Sequence, residues 1–579
     1  MVPPCVVVMG EPHMLTHWPA KHPEGVSRAP TFAIMVGGFA LGFVIFFRAQ
    51  ILSGFDLLFG DRGDTRFVVF IHEHIFQAMI GRSNLLSPPF FYDVTNTLSY
   101  SDAFLLNQII YAPLRGLGAD PYLALLLTLM TLSVAGYGFL YALLRRFGHA
   151  SVVTAVFSSF LFTFANNLYV NANHLQHFAI YYVPVVAYLA IYAITEIHKH
   201  KNHSLMAGGI AGLLYGLLFP TGFYVAWFFG LGLLIFAPIF IFVSWNAVRV
   251  WFAAGPIRTG MLGLAFVDGL VVGLIPFMLI YIPVFKVAGS RDFGEYLLYA
   301  PTFTDILNVG ANFVWADFLE KIGLASHGRT LGGGEQSIAL TPGLQIFVIL
   351  SLLIGLRARY WNSDNRNQLA RAVTIAGAAV YVTLFLVTIK IHEQSVFLVL
   401  FKLVPGAGAI RAGYRAMVVA NFFAVISVAL AIGRLSQMSS RYSGADLKVK
   451  STRAAVVALM ALGVVEQINL TRGSMVSRAF ERAHFGNVGA APTDCRSFYI
   501  ANEPGQPPSI VQIDAMLVAQ RVGIPTINGY SGNFPPGWDF FDPSDVNYER
   551  NARAWAVHRG INAGLCRFDM ANGIFSGGH

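Results

Sequence analysis

Charge is scarce in this chain, and its scarcity excludes a great deal. Lys, Arg, Asp and Glu make up 12% of 579 residues, where a soluble globular chain carries about 25%. Thirty acidic and 39 basic residues cannot coat a water-exposed surface of this size, so lipid has to cover most of it. Cysteine is nearly absent, with three in the whole sequence, too few for a disulfide framework or a structural zinc site. Neither CxxC nor HExxH spacing occurs. Residues 1–30 carry Pro3, Pro4, Pro19, Pro23 and Pro30 but no signal-peptide pattern, and read as a disordered cytoplasmic lead. What abounds is apolar: 55% of the residues are hydrophobic. The net charge of +9 comes from short basic clusters between apolar runs rather than from one basic face. That distribution is topology charge and gives nucleic acid no surface to bind.

A hydrocarbon core about 30 Å thick needs about 20 apolar residues in a helix. About eleven runs qualify, near 31–50, 120–143, 151–169, 177–195, 205–221, 223–244, 261–284, 342–357, 371–389, 415–434 and 454–469. Basic residues gather in alternate loops: Arg145 and Arg146; Lys199 and Lys201; Arg249 and Arg258; Arg357 to Arg371; Arg434 to Arg453. Those loops are therefore cytoplasmic. The parity holds only if Pro220 separates two spans. The other loops, 51–119, 285–341 and 390–414, then lie outside with the tail from 470. The expected organisation is a multi-pass helical membrane domain over 31–469 and an extracytoplasmic domain over 470–579, with the N-terminus cytoplasmic.

In the tail, 509–513 reads as a strand, 515–521 as a helix and 524–527 as a second strand before the turn-rich NGYSGNFPPGW, which implies a small α/β domain. Cys495 and Cys566 share the oxidising side, away from Cys5; a disulfide and two buried thiols are both open. Asn528, Tyr530, Asn533, Phe534 and Trp538 combine amides with aromatics, a mixture that suits either sugar recognition or an aromatic packing cluster.

The first external loop opens GFDLLFGDRGDTRFVVFIHEHIF, with Asp61 and Asp64 three residues apart and Arg62 and Arg66 beside them. A helix from Asp64 puts Phe67, Phe70, Ile71 and Phe76 on one side and Glu73, His74 and Gln77 partly on another, an amphipathic interfacial pattern. A second such helix is expected over 102–117, opened by Asp102.

This loop, the GDxxD pattern, the segment from Arg411 to Arg415 before a late span and the NGYSG tail together resemble the GT-C superfamily of membrane glycosyltransferases, nearest to bacterial members of uncharacterised activity. The resemblance covers the whole architecture and implies glycosyl transfer from a polyprenyl-phosphate donor to an extracytoplasmic acceptor, in the cytoplasmic (inner) membrane of a cell envelope. It implies a carboxylate that deprotonates the acceptor or holds a divalent metal; Asp61 ranks first and Asp64 second. Arg62, Arg66, Arg291, Arg411 and Arg415 suit the donor phosphate, because their charge opposes the one developing on the leaving group. The motif is DRGD rather than an adjacent acidic pair, and helix capping by both aspartates is the competing account.

Glu73, His74, Asp102, His174 and Glu335 are candidate substrate contacts. The HEH run at 72–74 points in different directions on a helix, so surface polarity accounts for it as well. Asn166, Asn167, Asn171, Asn173, His174 and His177 crowd one external turn and suit either sugar hydroxyls or a plain polar turn. Asp268 lies inside a span, where an acid costs about 2.5–3.5 kcal/mol. Two other classes of function fit the same topology: a transporter or flippase of a lipid-linked or soluble substrate, whose inverted repeats are not found, and a scaffold that keeps the fold without catalysis.

Overall fold

The computed structural model describes residues 28–310, 339–361, 365–440, 447–470, 473–501 and 505–577, together with Trp315, Phe318, 321–323 and Ser337. The lead read as disordered, apart from its last residues, and Glu335 both lie outside the described residues.

Each apolar run forms a helix. In chain order the larger ones are α1 (Arg28–Phe46), α2 (Asp64–Met79), α3 (Gln108–Gly116), α4 (Pro121–Arg146), α5 (Val152–Thr163), α6 (Tyr182–Glu196), α7 (Lys201–Thr221), α8 (Phe223–Val243), α9 (Pro256–Ala288) and α10 (Phe293–Tyr299). They continue as α11 (Pro342–Leu356), α12 (Asn365–Thr388), α13 (Ala416–Ser440) and α14 (Leu447–Glu466). Among the described residues nine helices are long and apolar enough to cross a membrane, and the remaining two expected spans appear as shorter apolar stretches, Pro342–Leu356 and Val456–Glu466. Helix starts follow local chemistry. Asp120 caps α4 by accepting from the Tyr122 and Leu123 backbone N–H groups, with Pro121 in the first turn.

The centre of the bundle is α13, packed by α5, α8, α11 and α12 through ring contacts such as Phe162 with Phe422 and Phe229 with Phe423. The pair α7 and α9 meets differently, backbone on backbone. A Cβ at Gly212 would lie 2.0 Å from the Phe266 carbonyl oxygen, so only glycine lets these helices approach so closely. Helix α9 packs Gly269 and Gly273 against α7 this way and leaves Asp268 exposed on its outer face.

The C-terminal part is a small α/β unit. Strand β3 (Ser497–Ile500) pairs in parallel with β4 (Leu565–Asp569), which pairs antiparallel with β5 (Ile574–Ser576), numbering β1 and β2 the strands given next. A disulfide joins Cys495 to Cys566, Cα atoms 5.6 Å apart. Residues 509–521 form one helix, α16 (Pro508–Val522), rather than the strand and helix read from the sequence. The run is buried on all sides, from Val511 to Ala519, so its apolar stretch shows no helical stripe; Pro508 in the first turn and Gly523 in the left-handed region bound it. The strand expected over 524–527 reduces to a single bridge from Thr526 to Phe498.

Two connections dock this unit on the first long loop. Strands β1 (Leu57–Phe59) and β2 (Met475–Ser477) pair antiparallel, and Phe91 and Tyr92 donate backbone hydrogen bonds to Asn528 and Thr526. A short helix, α15 (Arg478–His484), follows β2.

Candidate active site

The N-terminus of α2 is where these parts meet. Asp61 lies just before it, exposed, and its Oδ1 accepts from the backbone N–H of Gly63 at 2.8 Å and of Asp64 at 3.0 Å. That is an Asx-type turn just ahead of the helix, whose N-cap is Gly63.

Asp64 differs. Its Oδ2 is 2.9 Å from His174 Nδ1, and its Oδ1 accepts from the Tyr530 hydroxyl at 3.0 Å. Its side chain remains 32% accessible, so a substrate can reach it. Crowding by protein would raise this carboxyl, but the His174 hydrogen bond and charge, the Tyr530 hydroxyl and the Arg415 charge prevail and hold it below the usual carboxylate range. Asp64 is therefore ionised at neutral pH. Asp61, ranked first from the sequence, sits in a local turn, whereas Asp64 makes side-chain contacts to distant elements.

Two of the five arginines are committed elsewhere. Arg66 is fully buried, 2.8 Å from Glu481 and paired with Asp514; its guanidinium locks α2 to α15 and α16 and cannot meet a phosphate. Arg62 Nε sits 3.1 Å from Glu481 and its guanidinium lies over the Phe480 ring. The other three arginines lie against aromatic and acidic partners. Arg415 is buried over the Tyr224 ring, and its charge acts on both Asp64 and Asp102. Arg411 lies over Tyr299, 3.7 Å from Glu295. Arg291 binds Glu295 at 2.9 Å and donates to the Gly532 carbonyl at 3.1 Å.

The expected substrate contacts mostly have structural partners. Glu73 accepts from Arg115, Tyr111 and Gln77. His74 is buried, 3.0 Å from the Leu85 carbonyl, and burial lowers its basicity. His72 stacks on Phe104 and contacts the Val68 carbonyl at 2.8 Å, and burial takes it to about 4. The HEH run is thus interior, and α2 is buried nearly all round rather than lying on a surface, because Leu85, Phe104 and α3 cover the HEH side and the C-terminal unit covers the side of Arg66 and Phe67. Asp102 does not open a helix. Its Oδ1 accepts from the Phe223 backbone at the start of α8, and burial raises it to about 6. Of the described members of this group, His174 is the one hydrogen-bonded to Asp64. His177, 5.7 Å from it ring to ring, is buried. Asn166 and Asn171 turn inward to the Val309 and Ser337 carbonyls.

Among the described residues no group of three or more His, Cys, Asp or Glu is placed to hold a metal ion. Asp64 and His174 are paired with each other.

No protein-family model matches the chain, and no curated protein matches it in sequence. Solved structures do match. The oligosaccharyltransferase AglB of Archaeoglobus fulgidus, in complex with an inhibitory peptide and a dolichol-phosphate, aligns over 94% of this chain and 70% of its own length, with TM-score 0.50 and 13% identity. This chain has the GT-C fold. The mycobacterial arabinofuranosyltransferase AftD aligns with TM-score 0.45 and 13% identity over 84% of this chain, which spans 30% of AftD's length. A second A. fulgidus oligosaccharyltransferase structure, with Zn and sulfate, aligns with TM-score 0.39 and 13% identity over 85% of this chain and 62% of its own.

In this GT-C fold the residue that sequence reasoning left out of the site is Tyr530. It was visible only as part of an aromatic and amide mixture, and 466 positions separate it from the carboxylate it touches. Tyr224 and Glu295, which hold the arginines, carried no sequence signal.

Proposed function

We propose that this protein is a membrane glycosyltransferase that moves a sugar from a polyprenyl-phosphate donor to an acceptor on the external side of the cytoplasmic membrane. The observation that carries the reading is the Asp64 carboxylate: ionised, accessible and facing the Arg415 charge. A carboxylate can accept about four hydrogen bonds, and Asp64 uses two of them for His174 and Tyr530, which leaves room for an acceptor hydroxyl. Asp64 then removes that proton as the oxygen attacks the anomeric carbon, and the donor phosphate departs with the bonding pair. Arg415 and Arg411 face the departing charge, a task that suits guanidinium groups. A positioned general base contributes about 10²- to 10⁴-fold.

The fold supports this reading, as does the dolichol-phosphate bound to AglB, a lipid of the proposed donor class. The distribution of basic loops supports an external site, where nucleotide sugars are absent and a lipid-borne donor is required. The test is transfer of radiolabel from polyprenyl-phosphate sugars in membranes holding wild type or Asp64→Asn. Transfer by wild type and its loss in the folded variant supports the reading; no transfer from any donor by wild type removes it.

A further inference from the structure

We infer that Tyr530, on the C-terminal unit, is a positioning residue for the Asp64 carboxylate, so that this unit completes the reactive centre instead of only covering it. The inference deepens the glycosyl-transfer reading and rests on it for its kinetic consequence.

Asp64 is held from two sides by groups distant in sequence. His174 comes from the membrane bundle, Tyr530 from the C-terminal unit, each on a different carboxylate oxygen. With both oxygens restrained the carboxyl plane is fixed. The remaining lone pairs are then presented in one direction, as a base needs. Tyr530 is itself rigidly placed. Its backbone N–H points at the Met516 sulfur, Gly529 donates to Gln512, and Ser531 donates to the Tyr100 carbonyl. Its ring packs edge-on against Phe67 of α2, centroids 5.7 Å apart. A loop tethered at three successive residues and leaning on the helix that carries the carboxylate is built to aim one hydroxyl.

The hydroxyl also bears on ionisation. Burial opposes a charge on Asp64, and Tyr530 is among the groups that offset it. Removing the hydroxyl raises the carboxyl back toward its ordinary value, so the ionised fraction at a given acidic pH falls and activity is lost at a higher pH than in wild type.

The test compares Tyr530→Phe with Tyr548→Phe in the full-length membrane protein. Tyr548 is a buried tyrosine of the same unit whose hydroxyl serves the Ile500 carbonyl and Asn528. Two readouts are taken across pH: kcat/KM for transfer, and carbodiimide-driven coupling of glycine ethyl ester to Asp64, scored by peptide mass spectrometry, which reports the protonated carboxyl without needing turnover. In Tyr530→Phe the acid limb of kcat/KM and the coupling midpoint both move to higher pH, while Tyr548→Phe moves neither. If Tyr530→Phe tracks wild type in coupling, or moves coupling but leaves the acid limb in place, the inference falls. If wild type transfers no sugar yet coupling still moves, the glycosyl-transfer reading falls and the hold of Tyr530 on Asp64 stands.

Discussion

Helix α2 carries two carboxylates, and their surroundings differ in kind. Glu73 receives four hydrogen bonds: Gln77 and Arg115 on one oxygen at 2.7 and 2.9 Å, Tyr111 and Arg115 on the other at 2.9 and 2.6 Å. That fills the capacity of a carboxylate, and the group is a fastener between α2 and α3. Asp64, nine positions earlier, receives two bonds and stays partly accessible. On the proposed reading, saturation marks the structural acid and spare capacity near a cation marks the reactive one. Sequence shows both simply as acids on one helix.

Four substitutions break or sharpen that contrast. Asp64→Asn keeps the shape and removes the base, so transfer falls about 10²- to 10⁴-fold with an unchanged unfolding temperature; a loss of less than threefold in a radiolabel assay contradicts the assignment. Arg66→Met leaves Glu481 and Asp514 buried without their cation, which costs about 3–5 kcal/mol. It loosens the C-terminal unit, seen as faster proteolysis within 475–530. Glu73→Gln strips charge from a saturated site whose Arg115 partner is partly accessible; it costs about 1–3 kcal/mol by chemical denaturation and leaves transfer within a few-fold of wild type. Asp61→Ala loses the turn ahead of α2, worth about 1 kcal/mol, and leaves the shape of the pH–rate profile unchanged. If Asp61→Ala instead abolished transfer in folded protein, the two aspartates would have to exchange roles.

The membrane bundle was legible because lipid imposes a simple rule on composition. Runs such as 120–143 and 223–244 can do little else than span, and Pro220 with Gly222 separated α7 from α8 as the basic loops required. The candidate site was legible only as chemistry in one loop. The α2 start at Asp64 could be read from the motif, but not the burial of its polar residues. Phe104, Leu85 and α3 turned HEH into interior contacts, and α16, laying Asp514 against Arg66, took that arginine out of the exposed set. In the tail, α16 escaped notice because a helix buried on every side loses the periodicity by which helices are recognised.

The antiparallel pairing of β1 with β2 has a consequence for biogenesis. Leu57, Leu58 and Phe59 find their strand partners in Ser477, Val476 and Met475, and Tyr530 follows later still. During insertion, α1 and the first loop emerge long before those partners exist, so the loop stays without its mate while all the intervening helices are threaded into the bilayer. A ribosome-bound or truncated chain therefore lacks the Tyr530 contact to Asp64, and that arrangement exists only once assembly is finished.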